Sequence, residues 1–143
     1  MLYLLLVLIV FNDQLIKLYI NNNLYHGESI EVIQNIFHIT YVKNTGAAFG
    51  ILKGKTNLFI IITVIILIGI LIYRKFYLEK DIYLDLASAL IIGGALGNLI
   101  DRIRLNYVID YLDFRIWPVF NLADSAVVVG ASIFIIYILK TDM

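Results

Sequence analysis

Two aspartates stand among bulky apolar residues: Asp110 in YVIDYLDF (Tyr107 to Phe114) and Asp124 in FNLADSA (Phe120 to Ala126). Two carboxylates in a partly dry site cannot both ionise cheaply, so one pKa rises and the pair shares a proton. Water-activated amide hydrolysis needs that arrangement: one carboxylate takes a proton from water while the other, protonated, polarises the scissile carbonyl. No Ser/His or Cys/His arrangement competes, because Ser125 and Ser132 have no basic partner in their helix and the chain has no cysteine. Two isolated histidines, His26 and His38, are a weak zinc signal, and no metal site is expected. Asn121 with Asp124 three residues on also fits a helix N-cap and its first-turn acid. Capping accounts for one carboxylate and leaves the other, in a nearby apolar loop, without a reason.

Other polar groups recur at helical spacing. In GGALGNLIDR, Asn98 and Arg102 fall on one face one turn apart, and Gly93 and Gly97 form a G-x-x-x-G that permits close helix contact. Asp13 and Lys17, at i and i+4, read as a structural ion pair, far cheaper in a membrane than either charge alone. VKNTGAAFG (Val42 to Gly50) sets small residues around Asn44 and admits close backbone approach.

The elements that must hold these groups are membrane spans. The 143-residue chain is 62% hydrophobic and 15% charged, with mean hydropathy +0.91, well beyond a soluble domain. Its formal charge is zero and its 11 basic residues are scattered, so no nucleic-acid partner is expected. No Pro/Ser-rich linker divides it, so residues 1–143 read as one domain. Thr56 to Tyr73 runs 18 residues without a charge, close to the ~20 that cross a hydrocarbon core. Spans are expected at Leu2 to Ile20, Asn57 to Tyr73, Asp85 to Ile100 and Asn121 to Lys140, with both termini on one side. The first lacks a basic n-region and a small-residue cleavage site, so it reads as a retained span. Alternation with β-branched enrichment over Glu28 to Gly50 suggests a small antiparallel sheet on the outer surface. Tyr25, Phe37, Tyr41 and Phe49 suit the headgroup level. A count of basic residues does not orient the chain: Arg74, Lys75 and Lys80 lie on one side, and Lys43, Lys53, Lys55, Arg102, Arg104 and Arg115 on the other.

DQLIK (Asp13 to Lys17), VKNTGAAFG, GGALGNLIDR, YVIDYLDF and FNLADSA occur in the order, and over nearly the whole chain, in which the lipoprotein signal peptidase (signal peptidase II) family carries them, so the chain resembles that bacterial family of intramembrane aspartic peptidases. The resemblance implies catalysis by Asp110 and Asp124, with Asp13, Lys17, Asn44, Asn98, Arg102 and Asn121 in support or substrate binding. It implies an all-α membrane protein of four transmembrane helices in the bacterial cytoplasmic membrane, with cytoplasmic termini. A small extracytoplasmic β-cradle and an amphipathic surface helix would flank an active site near the outer face. The substrate would be a prolipoprotein cleaved on the N-terminal side of its diacylglyceryl-modified cysteine, held among membrane lipid. No cofactor is implied, and the cyclic peptide globomycin would inhibit. Asn106 stands where the family often has Gly; Asn is the other residue that tolerates a left-handed backbone.

Two other classes stay open at this level. A proton- or cation-coupled transporter could use paired aspartates, although no internal repeat is visible. A non-catalytic scaffold could use the glycine face for assembly and the aspartates as caps.

Overall fold

The computed structural model describes residues 2–46, 52–77 and 81–141. Four helices long and apolar enough to cross a membrane carry the mass of the chain: α1 (Leu2–Asn23), α2 (Thr56–Tyr77), α3 (Ile82–Leu105) and α4 (Leu122–Thr141). Each corresponds to an expected span, and α1, α2 and α3 run several residues further because local chemistry supports their ends. Asp81 caps α3, its carboxylate accepting from the Tyr83 and Leu84 N–H groups at 2.7 and 3.2 Å. At the other end Asn106 takes the left-handed conformation (φ 64°) expected of it, and its N–H returns to the Arg102 carbonyl. Asn121 lies outside α4 as its N-cap, not inside the span as the sequence reading placed it.

α3 is the central helix, packed against α1, α2 and α4, and its glycines explain how. A Cβ on Gly93 would crowd Ile9 of α1, one on Gly94 would stand 2.3 Å from the Ala123 carbonyl oxygen of α4, and one on Gly97 would stand 2.5 Å from an Asp13 carboxylate oxygen. The G-x-x-x-G pair therefore faces α1, as close helix contact requires.

A three-stranded antiparallel sheet in the order β1-β2-β3 sits at one end of the bundle: β1 (Ser29–Ile33), β2 (Phe37–Asn44) and β3 (Val108–Asp113). The expected sheet had only the first two; β3 is the segment read as an apolar loop. Nearly all of β3 is buried, so it lacks the alternation that marks a strand with one face in water. β2 pairs with β3 through His38↔Asp113, Val42↔Asp110 and Asn44↔Val108, with an irregularity between Ile39 and Val42. Ile20 of α1 and Leu24 just beyond its end form a core with Tyr41, Ile109 and Tyr111 of the sheet. Tyr41 is thus buried, its hydroxyl donating to Asn21 Oδ1 at 2.6 Å, rather than displayed at the headgroup level. Tyr25 is exposed; Phe49, with the rest of Ala47 to Gly50, lies outside the described residues. The amphipathic surface helix implied by the resemblance is not found among the described residues.

Candidate active site

Asp110 and Asp124 come together where β3 meets the N-terminus of α4. The chain between them folds back on itself: the Tyr111 and Leu112 N–H groups donate to the Phe120 carbonyl at 2.9 and 2.8 Å, and the Phe120 N–H returns to Leu112. This closes the connection and sets Asn121 beside the strand just left. The Asn121 side chain then does two things. Its Oδ1 accepts from the Asp124 N–H at 2.8 Å while Asp124 Oδ2 accepts from the Asn121 N–H at 3.3 Å, a reciprocal cap on α4. Its Nδ2 donates to Asp110 Oδ1 at 2.7 Å. Capping and pairing of the two acids are one device, so the N-cap reading and the dyad reading of FNLADSA both apply.

Asp110 is only 2% exposed, and its second oxygen accepts from Asn44 Nδ2 at 2.9 Å. Asn44 is itself oriented by its Oδ1, which accepts from the Gly46 N–H. Burial, and next to it the Asp124 charge, push the Asp110 carboxyl up to about 7, against the opposing hydrogen bonds from Asn44 and Asn121. Tyr111, next in the strand, points the other way and accepts from the Leu122 N–H through its hydroxyl.

Asn98 links this pair to a buried charge cluster. Its Nδ2 donates to Asp124 Oδ1 at 2.7 Å, and its Oδ1 accepts from Lys17 Nζ at 2.9 Å and from Asn121 Nδ2 at 3.1 Å. Lys17 is paired with Asp13 at 2.8 Å, as the i, i+4 spacing requires, and also with Asp101 at 3.0 Å. Asp13, fully buried, also accepts from the Ala123 N–H at 3.1 Å, a second acid on the N-terminus of α4.

Two members of this cluster escaped the sequence reading. Asp101 accepts from Gln14 Nε2 at 3.0 Å and from the Ile109 N–H at 3.1 Å, tying α3 and α1 to β3. Its position three residues after Asn98 put it on the same helix face, a signal that was available. Gln14 had none beyond adjacency to Asp13. Arg102 lies a turn beyond Asn98 with its guanidinium 5.2 Å over the Phe59 ring, and the Asp124, Asp110 and Asp101 charges act on it. All eight residues picked from the sequence therefore belong to one neighbourhood, six of them in a continuous hydrogen-bonded chain from Asp13 through Lys17, Asn98, Asn121 and Asp110 to Asn44, with Asp124 held by both Asn98 and Asn121.

The chain is similar to known proteins over nearly its whole length. The family model described as "Signal peptidase (SPase) II" matches residues 5–140. A lipoprotein signal peptidase of Halothermothrix orenii is 53% identical over 143 residues, covering 99% of this chain and 97% of that protein. One of Clostridioides difficile is 48% identical, covering 97% and 95%. A solved bacterial membrane enzyme superposes with a TM-score of 0.93 at 39% identity, over 97% of this chain and 87% of that one.

Proposed function

Since the chain belongs to the signal peptidase II family and is a multi-pass membrane peptidase that removes signal peptides from prolipoproteins, we propose that Asp110 and Asp124 perform the cleavage as a dyad sharing one proton. The observation that carries this reading is the bridge between them: one asparagine, Asn121, hydrogen-bonds both carboxylates while Asp110 is almost wholly buried. Asp110, held up near 7, is the resting carrier of the proton. Asp124, at a helix N-terminus and accepting from Asn98, is the ionised partner. Asp124 takes a proton from water as the water oxygen attacks the scissile carbonyl, and Asp110 gives its proton to the carbonyl oxygen. Collapse of the tetrahedral species returns a proton to Asp110 and delivers the other to the departing nitrogen. The products are the signal-peptide carboxylic acid, which then gives its proton to water, and the free amine of the lipidated cysteine.

Asn44 and Asn121 orient Asp110, Asn98 orients Asp124, and Arg102 faces the substrate backbone. Asp13 and Lys17 hold Asn98 and the start of α4 from behind. The site lies at the sheet-bearing end of the bundle, which is the outer end, with both termini in the cytoplasm. Substrate presents its scissile bond there because its diacylglyceryl chains lie in lipid at ~0.8 kcal/mol per buried CH₂. The lipid supplies depth and register more than chemistry.

The test is cleavage by the purified full chain of a diacylglyceryl-modified prolipoprotein, with and without globomycin, beside the unlipidated precursor. Release of the signal peptide at the cysteine, blocked by globomycin and nearly absent without lipid, is the expected result. Equal cleavage of the two precursors would overturn the substrate assignment while leaving an aspartic intramembrane peptidase standing.

A further inference from the structure

Five cations gather where α2 begins and α3 ends, at the sheet-bearing end of the bundle: Lys43, Lys53, Lys55, Arg102 and Arg104. Four contacts bring Lys43, Lys53, Lys55 and Arg102 onto one surface, and Arg104, two residues beyond Arg102, stands at nearly the same level around the end of α3. The Gly54 N–H donates to the Thr45 carbonyl at 3.2 Å, laying the loop with Lys53 and Lys55 beside the end of β2. Thr56 Oγ1 donates to the Asn106 carbonyl at 2.8 Å, joining the first residue of α2 to the end of α3. Lys43 Nζ stands 5.1 Å from the Tyr107 ring centre, and Arg102 lies over Phe59.

Among the described residues none of the five is in an ion pair: Asp101 is paired with Lys17 and Asp113 with Arg115, and Asp110 and Asp124 act on Arg102 only at longer range. α2 has no acid in its first turn, so its free N–H groups add to the positive potential. Exposed apolar side chains are interleaved with the charges. Leu52 and Leu58 flank the two loop lysines, and Ile103, 61% exposed, lies between the two arginines. Alternating long cations and apolar side chains at the end of spanning helices fit a boundary where the apolar groups enter hydrocarbon and the cations reach up to headgroups. A soluble anion would use the charges and leave Leu52, Leu58 and Ile103 in water.

We propose that this surface binds the phosphodiester headgroups of anionic phospholipids in the leaflet at the sheet-bearing end of the bundle. Each phosphate accepts hydrogen bonds from Lys53, Lys55, Lys43 or Arg104. It also accounts for the concentration of basic residues on the side where a simple charge count expects fewer. Arg102, shared with the candidate active site, is the link between this lipid surface and the dyad.

The test reads lipid binding, not cleavage. The full chain in detergent micelles is titrated with phosphatidylglycerol or phosphatidylcholine, and retained lipid is measured by native mass spectrometry. Wild type should retain phosphatidylglycerol preferentially. Combined Lys53→Gln, Lys55→Gln and Arg104→Gln, three exposed positions, should reduce that preference by more than about tenfold, since each cation near an anionic surface contributes roughly fivefold. Lys75→Gln with Lys140→Gln, at the opposite end of the bundle, should leave it intact. In wild type, added salt should erase the preference, a readout independent of any variant. Equal retention of both lipids, a preference that survives the triple substitution, or a salt-independent one would overturn the proposal. Displacement of phosphatidylglycerol by inorganic phosphate at similar concentration would overturn the lipid source.

Discussion

The side-chain carbonyl of Asn98 accepts from the buried ammonium of Lys17 at 2.9 Å, and this decides which way the amide faces. With Oδ1 held by a cation, Nδ2 must point at Asp124, where it donates at 2.7 Å. Lys17→Met would leave Asp13 and Asp101 buried without their cation, at a cost of about 3–5 kcal/mol. Thermal unfolding in detergent should drop accordingly, and Lys17→Met combined with Asp13→Asn should recover part of the loss. Asn98→Asp would set a carboxylate against Asp124 and should lower kcat by on the order of 10²-fold, the scale of one lost positioned donor.

Asp110→Asn and Asp124→Asn should each lower kcat by on the order of 10⁴-fold, and the double variant should be little worse than either, because both act in one step. Additive losses would argue against a shared mechanism. Asp101→Asn is the discriminating control. It keeps one oxygen, able to serve the Ile109 N–H but not the Gln14 amide as well, and removes a charge from Lys17, so it should lower thermal stability and leave cleavage within about tenfold of wild type.

The pH profile follows from Asp110. Its carboxyl is pushed by burial and by Asp124 from an ordinary 3.8 to about 7, so the folded protein holds a proton that the unfolded chain releases. Stability from this group is fully present below its ordinary value and is lost as pH rises through about 7. If the dyad works with one proton, kcat/KM should fall about tenfold per pH unit on the alkaline side of that value. Asn44→Ala removes a hydrogen bond that favours the charged form and should move the alkaline limb upward. A limb that stays put or moves down would separate the profile from Asp110.

Gly97→Ala should be among the most damaging small substitutions in α3. Its Cβ would stand 2.5 Å from an oxygen of the fully buried Asp13 carboxylate, which is already engaged by Lys17 and the Ala123 N–H. Overpacking of this kind costs about 1–3 kcal/mol. Gly69→Ala, where a Cβ meets nothing within 4 Å, is the matched control and should be near neutral in the same melting experiment.

Arg102→Lys keeps the charge but loses the planar stack on Phe59 and the fixed fork of donors. Cleavage should weaken chiefly in KM, as expected of a group that binds substrate backbone rather than one that moves a proton. Unchanged kinetics would reduce Arg102 to an interface cation.

The four spans were legible in the sequence, because uncharged runs report burial in lipid directly, and Asp110 and Asp124 could be picked out as candidates, because a carboxylate beside such runs has few innocent explanations. The i, i+4 pairing of Asp13 with Lys17 was legible for the same local reason: helix geometry alone brings them together. What only the tertiary structure decided was everything that depends on which elements are neighbours. β3 carries no alternation because both of its faces are covered, so its pairing with β2, which brings Asn44 to Asp110, has no one-dimensional trace. Asp101 belongs to Lys17 across 84 positions of sequence, and Asn98 reaches Asp124 across 26, through contacts made when α3 packs between α1 and α4 on its glycine face. Hydrogen bonds and ion pairs act over about 3 Å in space whatever the separation along the chain. Periodicity therefore located the groups, and packing chose their partners.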